Sequence, residues 1–573
     1  MASSELKDDG TELKSYPPAT AQSSAAYPTA DRPTTPGEAP KPATGPPPAF
    51  QISYPNGLLQ AVILVALLLA QFLVALDMSI IATAIPTITV KFHSVDQVGW
   101  YGSAFFGCLA AFQAFWGKAY KYFSLKTVFL TCTVIFEVGS MIVALAQNST
   151  TVIVGRAIQG LGGAGVTGGC YVICAFITPP TRLPAIMGIF GTVWSCASVL
   201  GPVLGGVFTQ DVSWRWCFWI NLPIGAVTML AIAIFFKTPA HSRLAKANPK
   251  DIPLVFDFPG IAFFLCSLVC LCLALQDGEV TRPWNSSVPI GLLVGFGLLL
   301  IVFALIEWQQ GDRAMIPWSI MSRRSIAVCA IFSFLSNAAG FARVYNLPIY
   351  FQAVQGVSPS ASGVRTLPSV LSISISSLVS SILLGRVGYY QPFLLIGGVF
   401  MTVGAGLIYT LAVHSPASQY IGYQIVAGIG MGLTIQVPAI VAQSISERKD
   451  LAVAVAISLF YQFVGGTIGV SAAQSIMTNQ LLSDLPRHNP AISPARVLAA
   501  GASGLRRAFP NTNDLSAVVN AYLYGLKKAW IWSIALAGLA FLVAFLAEWK
   551  SIKAEDVNAR KVARARTEDP ASA

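Results

Sequence analysis

Four charged side chains interrupt long apolar stretches of this 573-residue sequence: Asp77, Glu137, Arg156 and Arg343. A charge inside such a stretch is costly, so each position is a functional hypothesis by default. Burial favours the neutral form of a carboxyl group, so Asp77 could bind and release a proton at physiological pH. Asp77 is therefore a candidate proton-binding group. The alternative is that Asp77 lies near the outer end of its stretch, where it meets water or caps a helix break at Pro86.

The two arginines pose a further question, because a guanidinium group is not neutralised in a protein. Inside an apolar stretch, Arg156 needs an acid, a water pocket or backbone carbonyls beside it. The alternative is that its side chain extends to the membrane surface. Arg343 adds a second internal positive charge. It could attract an anionic or polar ligand, or pair with Asp77 or Glu137.

Glycine-rich motifs occupy two neighbouring apolar stretches. Their small or helix-bending residues are Gly160, Gly162, Gly201, Pro202, Gly205 and Gly206. Glycines allow helix backbones to approach closely, and a proline bends a helix. Such an interface could gate a rocking motion, or it could serve tight packing alone; both can hold. Nucleotide binding is excluded for the first motif, because no strand precedes it and it lies within an apolar stretch.

A short basic segment separates the second and third apolar stretches. It begins with Gly117 and contains Lys121 and Lys126. Positive charge in a short connection is typical of the cytoplasmic side of a membrane protein. The segment could therefore be a functional loop motif or an orientation signal alone.

Polar and aromatic side chains are scattered through the remaining apolar stretches. The candidates for lining a substrate cavity are Trp194, Asn337, Arg343, Tyr345, Asn346, Gln436, Tyr461 and Gln462. The alternative for each polar group is a hydrogen bond from one helix to another. The ten cysteines also lie in apolar stretches, which indicates free thiols rather than a disulfide framework. Cys170 and Cys174 have no accompanying histidine or acid, so we expect no metal site.

The composition of the chain indicates that these residues lie on membrane-spanning helices. Apolar residues make up 54% of the chain and charged residues 11%, against about 25% charged in a soluble protein. Backbone groups in hydrocarbon must bond internally, and these runs are too long and too continuously apolar for barrel strands. We predict an all-α polytopic membrane protein with fourteen transmembrane helices. Their approximate ranges are 58–85, 98–117, 127–146, 151–176, 185–208, 217–236, 257–275, 288–308, 326–351, 361–384, 393–413, 419–442, 452–476 and 528–548.

These features occur in the order and spacing of one known family. Residues 76–86 resemble its first-helix signature, and 156–162 resemble its Arg-x-x-Gln-Gly-x-Gly element. Residues 201–206 resemble its helix 5 antiporter signature, while 214–225 and 345–352 are also typical. The chain resembles a major facilitator superfamily transporter of the fourteen-helix drug:proton antiporter branch. More narrowly, it resembles fungal toxin and multidrug efflux pumps.

The basic segment departs from the family pattern. Lys121 stands where the family has an acid, and Ser124 and Leu125 stand where it has a Gly-Arg pair. The charge pairing attributed to that acid cannot form here in the usual way.

The resemblance implies a fold of two six-helix bundles with two extra central helices. The expected segments are 1–56, a disordered cytoplasmic tail; 57–236, the first bundle; 237–325, a linker with the extra pair; 326–549, the second bundle; and 550–573, a basic cytoplasmic tail. A long extracellular loop is expected at 478–527. Lys and Arg concentrate in the loops of one side, which puts both tails in the cytoplasm. The sequons at Asn148 and Asn285 then lie outside, as candidate glycosylation sites.

The resemblance also implies a function: proton-driven export of small amphipathic molecules by alternating access of the two bundles. It makes Asp77, Arg156 and Glu137 the candidates for proton coupling. The expected partners are a small-molecule substrate, protons and the lipid bilayer, with no cofactor beyond the proton gradient and no nucleic acid. We expect a monomer in the plasma membrane, with the vacuolar membrane as alternative. A proton-coupled uptake symporter and a non-transporting membrane sensor stay open. No nucleophile–base pair supports an enzyme.

Overall fold

The computed structural model describes residues 54–55, 57–92, 98–239, 256–278 and 282–553. These ranges are dominated by helices and contain no β-strand beyond two isolated bridges. The predicted tails, 1–56 and 550–573, lie almost wholly outside the described residues.

The helices that precede the predicted linker pack mainly among themselves. They are α1 (Gly57–Phe92), α2 (Val98–Tyr122), α3 (Leu125–Ala144), α4 (Ser149–Ile177), α5 (Leu183–Val207), α6 (Trp216–Trp219) and α7 (Asn221–Phe235). A π-helical turn, Phe208–Val212, extends α5, and α6 with α7 forms one membrane-length segment. Helix α4 packs against both α2 and α3, because its glycines leave room for their backbones. This group is the first bundle.

The linker region and the remaining chain continue the helical pattern. The helices are α8 (Phe258–Asp277), α9 (Ser287–Gln310), α10 (Trp318–Met321), α11 (Arg324–Ile349), α12 (Pro359–Val387), α13 (Gln391–Tyr409), α14 (Ala417–Ile435), α15 (Val437–Ile445), α16 (Leu451–His488), α17 (Pro494–Ala508) and α18 (Thr512–Ala544). Helices α11–α18 form the second bundle, and a π-helical turn, Tyr350–Val354, extends α11. Helix α8 packs against α9 and also touches α2 and α16.

By length and apolar composition, thirteen helical segments of the described chain could cross a membrane. The remaining predicted segment corresponds to α2, which is 25 residues long and more polar. The all-α, polytopic character is confirmed. The count of fourteen stays a prediction.

The segment 478–527, predicted as a long extracellular loop, is mostly helical, and its extracellular placement stays a prediction. Helix α16 continues to His488, α17 covers Pro494–Ala508, and α18 begins at Thr512 rather than near 528. Gly501 (φ 61°) interrupts α17, and the two halves bury Val497 and Leu505 in a cluster with the end of α11. Such burial stabilises short helices that propensity alone would leave marginal.

Two helix pairs join the bundles: α2 with α16, and α5 with α12. Both approaches are close at one end. A Cβ atom at Gly117 would lie 2.3 Å from Ala456 Cβ, and one at Gly188 would lie 2.9 Å from Leu378 Cα. We call this the Lys121 end; it is the end predicted to face the cytoplasm. The two bundles are therefore in direct backbone contact there.

Candidate functional site

Asp77 lies in the interior of the first bundle and is fully buried. Arg156 Nη1 donates to its Oδ2, and the two side chains form an ion pair with no solvent exposure. Gln159 Nε2 and Asn221 Nδ2 each donate to Asp77 Oδ1, both at 3.1 Å. The carboxylate thus has donors from α4 and α7 on both oxygens. The alternative in which Asp77 meets water does not apply to this conformation.

Arg156 is held by more than its acid. Its Nε donates to the Tyr101 carbonyl oxygen at 3.1 Å, and Nη1 also donates to Gln159 Oε1 at 2.9 Å. The guanidinium lies 4.3 Å from the centroid of the Phe105 ring, a cation–π arrangement. Its Nη2 has no hydrogen-bond partner among the described residues. Arg156 therefore points into the bundle rather than to the membrane surface.

A serine and an asparagine complete this network, and the sequence interpretation did not select either one. Ser140 Oγ on α3 accepts from Gln159 Nε2 at 2.8 Å and from Asn221 Nδ2 at 3.1 Å. Asn221 begins α7, 144 positions after Asp77. The family-like run at 214–225 was the available signal for Asn221. Ser140 had none, because a serine in an apolar helix is unremarkable in sequence.

Glu137 lies one helical turn before Ser140 and is buried against α7. A Cβ atom at Gly225 would lie only 1.9 Å from Glu137 Oε1, so this glycine makes room for the acid. Neither carboxyl oxygen has a hydrogen-bond partner within the described chain. The structure therefore brings the three proton-coupling candidates into one region. Asp77 and Arg156 pair with each other, whereas Glu137 has no charge partner among the described residues.

The glycine motifs pack helices within the first bundle. Gly160 and Gly162 lie against the backbones of α2 and α3, and Gly201 and Gly205 lie against α1. Gly206 has no atom within 4 Å of its Cβ position. The helix 5 signature therefore packs tightly against α1 inside the first bundle, and its role in gating stays a prediction. Pro202 lies inside α5, in the same stretch.

Other glycines of α5 face the second bundle instead. A Cβ atom at Gly191 would lie 2.4 Å from Ser377 Oγ and 2.9 Å from Gln436 Nε2. Tyr171 Oη donates to Gln436 Oε1 at 3.1 Å, and Gln443 Nε2 donates to the Tyr171 carbonyl oxygen at 3.1 Å. These polar contacts join the bundles between the membrane centre and the Lys121 end.

The basic segment makes one ion pair across the bundles. Lys121 Nζ lies 2.9 Å from Oδ1 of Asp450, the residue before α16, and neither side chain is more than 22% exposed. Lys126 Nζ donates to the Ala233 carbonyl oxygen at 2.5 Å, within the first bundle. A charge pair thus forms although the acid expected at 121 is a lysine, because the opposite charge comes from the second bundle.

The predicted cavity residues divide by location. Trp194 lies across the bundle interface from Phe463, with ring centroids 6.0 Å apart. Asn337 and Asn346 donate to carbonyls of their own helix, Ser333 O and Ala342 O, at 2.8 Å each. Both leave Oδ1 without a partner in the described chain.

The other cavity candidates differ in exposure. Tyr345 is 37% exposed, and its ring centroid lies 6.5 Å from that of Phe341. Gln462 is buried, and Tyr461 packs on Phe460 with ring centroids 5.4 Å apart. Arg343 is buried between α11 and α14. Within the described residues, the hydrogen bonds of Asn337 and Asn346 stay in their own helix, whereas Arg343 contacts α14.

Comparison with known proteins identifies the family of this chain. A family profile described as Major Facilitator Superfamily matches residues 67–470. The chain belongs to the major facilitator superfamily.

Several fungal relatives of this transporter are known by name. It is 42% identical to the MFS-type efflux pump MFS1 of Trichophyton rubrum over 506 residues, which covers 88% of this chain and 94% of the relative. It is 40% identical to the dehydrocurvularin exporter of Aspergillus terreus over 499 residues, 87% of each chain. Among solved structures it resembles the proton:xylose symporter XylE, with a TM-score of 0.54 and 14% identity over 88% of this chain and 100% of that one. The membership predicted from the motifs is confirmed, and the chain is a transporter rather than an enzyme.

The remaining candidate positions of this transporter are its two sequons and its cysteines. Asn148 and Asn285 are both exposed. Asn148 Oδ1 caps α4 by accepting from Thr151 N at 2.8 Å. All ten cysteines are free, and the described residues contain no cluster of three potential metal ligands.

Proposed function

We propose that this transporter exports a small amphipathic organic molecule, such as a secondary metabolite or toxin, in exchange for protons. Its relatives are named as efflux pumps and exporters, which supports the direction of transport. The observation that carries the proton coupling is the fully buried Asp77–Arg156 pair. A buried acid with a permanent cation beside it is a site where one proton changes the local charge balance.

Protonation of Asp77 would remove the charge that Arg156, Gln159 and Asn221 now hold. A buried pair that loses one partner's charge is destabilised by about 3–5 kcal/mol. That exceeds the coupling free energies of about 1–3 kcal/mol typical between linked sites. Binding of a proton can therefore disfavour this conformation and favour one in which Arg156 finds other partners. Release of the proton restores the pair.

Glu137 supports a second proton-binding position. Its carboxyl oxygens are buried and have no hydrogen-bond donor among the described residues, so a negative charge there would have no partner. It shares the α3–α7 interface with Ser140 and Asn221, which contact the Asp77 network. We therefore include Glu137 among the coupling residues.

The contact at the Lys121 end supports a conformation closed toward the cytoplasm. We propose that both termini are cytoplasmic, that the protein acts as a monomer in the plasma membrane, and that Asn148 and Asn285 carry glycans. The motif glycines of α4 and α5 would keep the first bundle rigid, while Gly188 and Gly191 would allow the bundles to close on each other.

Transport by everted membrane vesicles tests the proposal. Dehydrocurvularin, the molecule named for two relatives, serves as the first probe. An acidic vesicle lumen should drive its accumulation in wild-type vesicles, because protons leave as substrate enters. Asp77→Asn should abolish this pH-driven accumulation while membrane insertion stays normal. Asp312→Asn, at an exposed acid, is the matched control.

The outcomes separate the alternatives. Normal pH-driven accumulation by Asp77→Asn would refute the role of Asp77. Movement of the probe together with protons would identify an uptake symporter. A protein that moves neither substrate nor protons under any gradient would favour the sensor.

A further inference from the structure

Arg343 is a buried cation for which the described chain provides no acid. Its side chain is 2% exposed, and it lies on α11 in the interior of the second bundle. Its recorded hydrogen bonds are weak ones: Nη2 to the Ala427 carbonyl oxygen at 3.5 Å and to Met431 Sδ at 3.9 Å. No ion pair joins it to an acid within the described residues. This contrasts with Arg156, which has a carboxylate, an amide and a carbonyl.

An uncompensated guanidinium of this kind is expensive to bury. Natural transporters retain such charges in spans where they serve a ligand or an ion. A guanidinium also has a planar fork of donors that matches a carboxylate better than a lysine would. The missing partner is therefore an anion that is present only part of the time.

The surface beyond α11 carries charge of the same sign. The π-helical end of α11 lies about 16 Å from Arg343 along the helix. There Arg365 bonds Gln355 and lies 5.5 Å from the Tyr420 ring centroid. Arg506 of α17 packs on Gly356, where a Cβ would lie 1.9 Å from its Nε. Residues 484–528 contain six Arg or Lys and two Asp.

We propose that Arg343 binds an anionic group, a carboxylate or phenolate, of the exported molecule, so that the preferred cargo of this transporter is an organic anion. The inference rests on the proposed export function and names its substrate class. The cation in the second bundle holds the cargo's negative charge at mid-span. The basic surface at the end of α11 then favours release of an anion toward that side.

A pair of probes that differ in one charge tests this inference. N-dansyl-phenylalanine has a carboxylate, and its methyl ester does not. Fluorescence titration of the purified full-length protein in nanodiscs gives both affinities. The wild type should bind the acid more tightly than the ester. Arg343→Gln should weaken acid binding about 10- to 100-fold, the usual loss for a charge-assisted hydrogen bond, and leave ester binding unchanged.

Two further variants separate charge from structure. Arg343→Lys should retain part of the preference for the acid, because it keeps the charge without the fork. Arg386→Gln, at an exposed arginine of α12, should bind as the wild type does. Arg343→Gln should also unfold at the same or a higher temperature than the wild type, since it removes an uncompensated buried charge. A structural arginine would instead lower that temperature.

The proposal is overturned if the wild type binds the ester at least as tightly as the acid, or binds neither. It is also overturned if Arg343→Gln weakens the binding of both probes equally. Loss of acid binding when chloride buffer replaces gluconate buffer would overturn it too, because it would identify a small inorganic anion as the partner of Arg343. pH-driven transport of dehydrocurvularin without any acid preference would refute this inference alone. Loss of all pH-driven transport would instead refute the proposed function.

Discussion

The Lys121–Asp450 pair should stabilise contact between the bundles at the Lys121 end. The two charged atoms are 2.9 Å apart, with side-chain exposures of 22% and 14%. Solvent-exposed pairs contribute about 0.2–1 kcal/mol, and this pair is more enclosed than most, so we assign about 1 kcal/mol. Removal of either charge should therefore shift the closed–open equilibrium about fivefold toward open.

The two single substitutions should differ in size. Asp450 directly precedes the first turn of α16, so its negative charge also interacts favourably with the helix dipole. Its side chain makes no capping hydrogen bond. Asp450→Ala should lose that contribution, about 0.3–1 kcal/mol, in addition to the pair. The charge exchange Lys121→Asp with Asp450→Lys should restore the closed state, although a lysine at the N-terminus of α16 lowers the stability of that helix in both states.

Hydrogen–deuterium exchange measures this opening. Peptides that cover 117–124 and 451–460 should exchange about fivefold faster in Lys121→Ala, because exchange follows the free energy of local opening. The effect should shrink at high salt. Lys126→Ala, at an exposed lysine bonded within one bundle, is the control. If the exchanged pair protects these peptides no better than Lys121→Asp alone, the two residues do not form a stabilising pair, and the reasoning fails.

Two further predictions concern the first bundle. Gly201→Ala should destabilise the transporter, because the new Cβ would lie 1.9 Å from Ser79 Oγ. Gly206→Ala should be neutral or stabilising by about 0.5–1 kcal/mol, because no atom lies within 4 Å of its Cβ position. Thermal unfolding in detergent compares the two variants, and equal effects would contradict the assigned packing of Gly201. Asn221→Ala removes a donor to Asp77 and should cost about 1.5–3 kcal/mol of carboxylate stabilisation. Its pH-driven transport should therefore fall below that of the wild type, and unchanged transport would exclude Asn221 from the coupling network.

Part of the candidate site could be predicted because its residue types are rare in their setting. Asp77 and Arg156 stand out in apolar stretches, and both lie in one buried network. Asn221 and Ser140 complete that network. They could not be selected from sequence, because amides and hydroxyls in many spans only form hydrogen bonds within or between helices. The long helices were predicted well, whereas α17 was not, because its stability comes from burial against the end of α11 rather than from its own composition.

The sequence by itself determined that the chain lies in a lipid bilayer, that it is helical, and to which family it belongs. A chain with 54% apolar residues must satisfy its backbone within helices in a bilayer, and that requirement is local to each segment. Only the tertiary structure decided which charges meet. Lys121 pairs with Asp450 across 329 positions, and Arg156 with Asp77 across 79. Among the described residues, the same packing leaves Arg343 without an acid, because helix placement, rather than the residue itself, decides which side chains share a buried space.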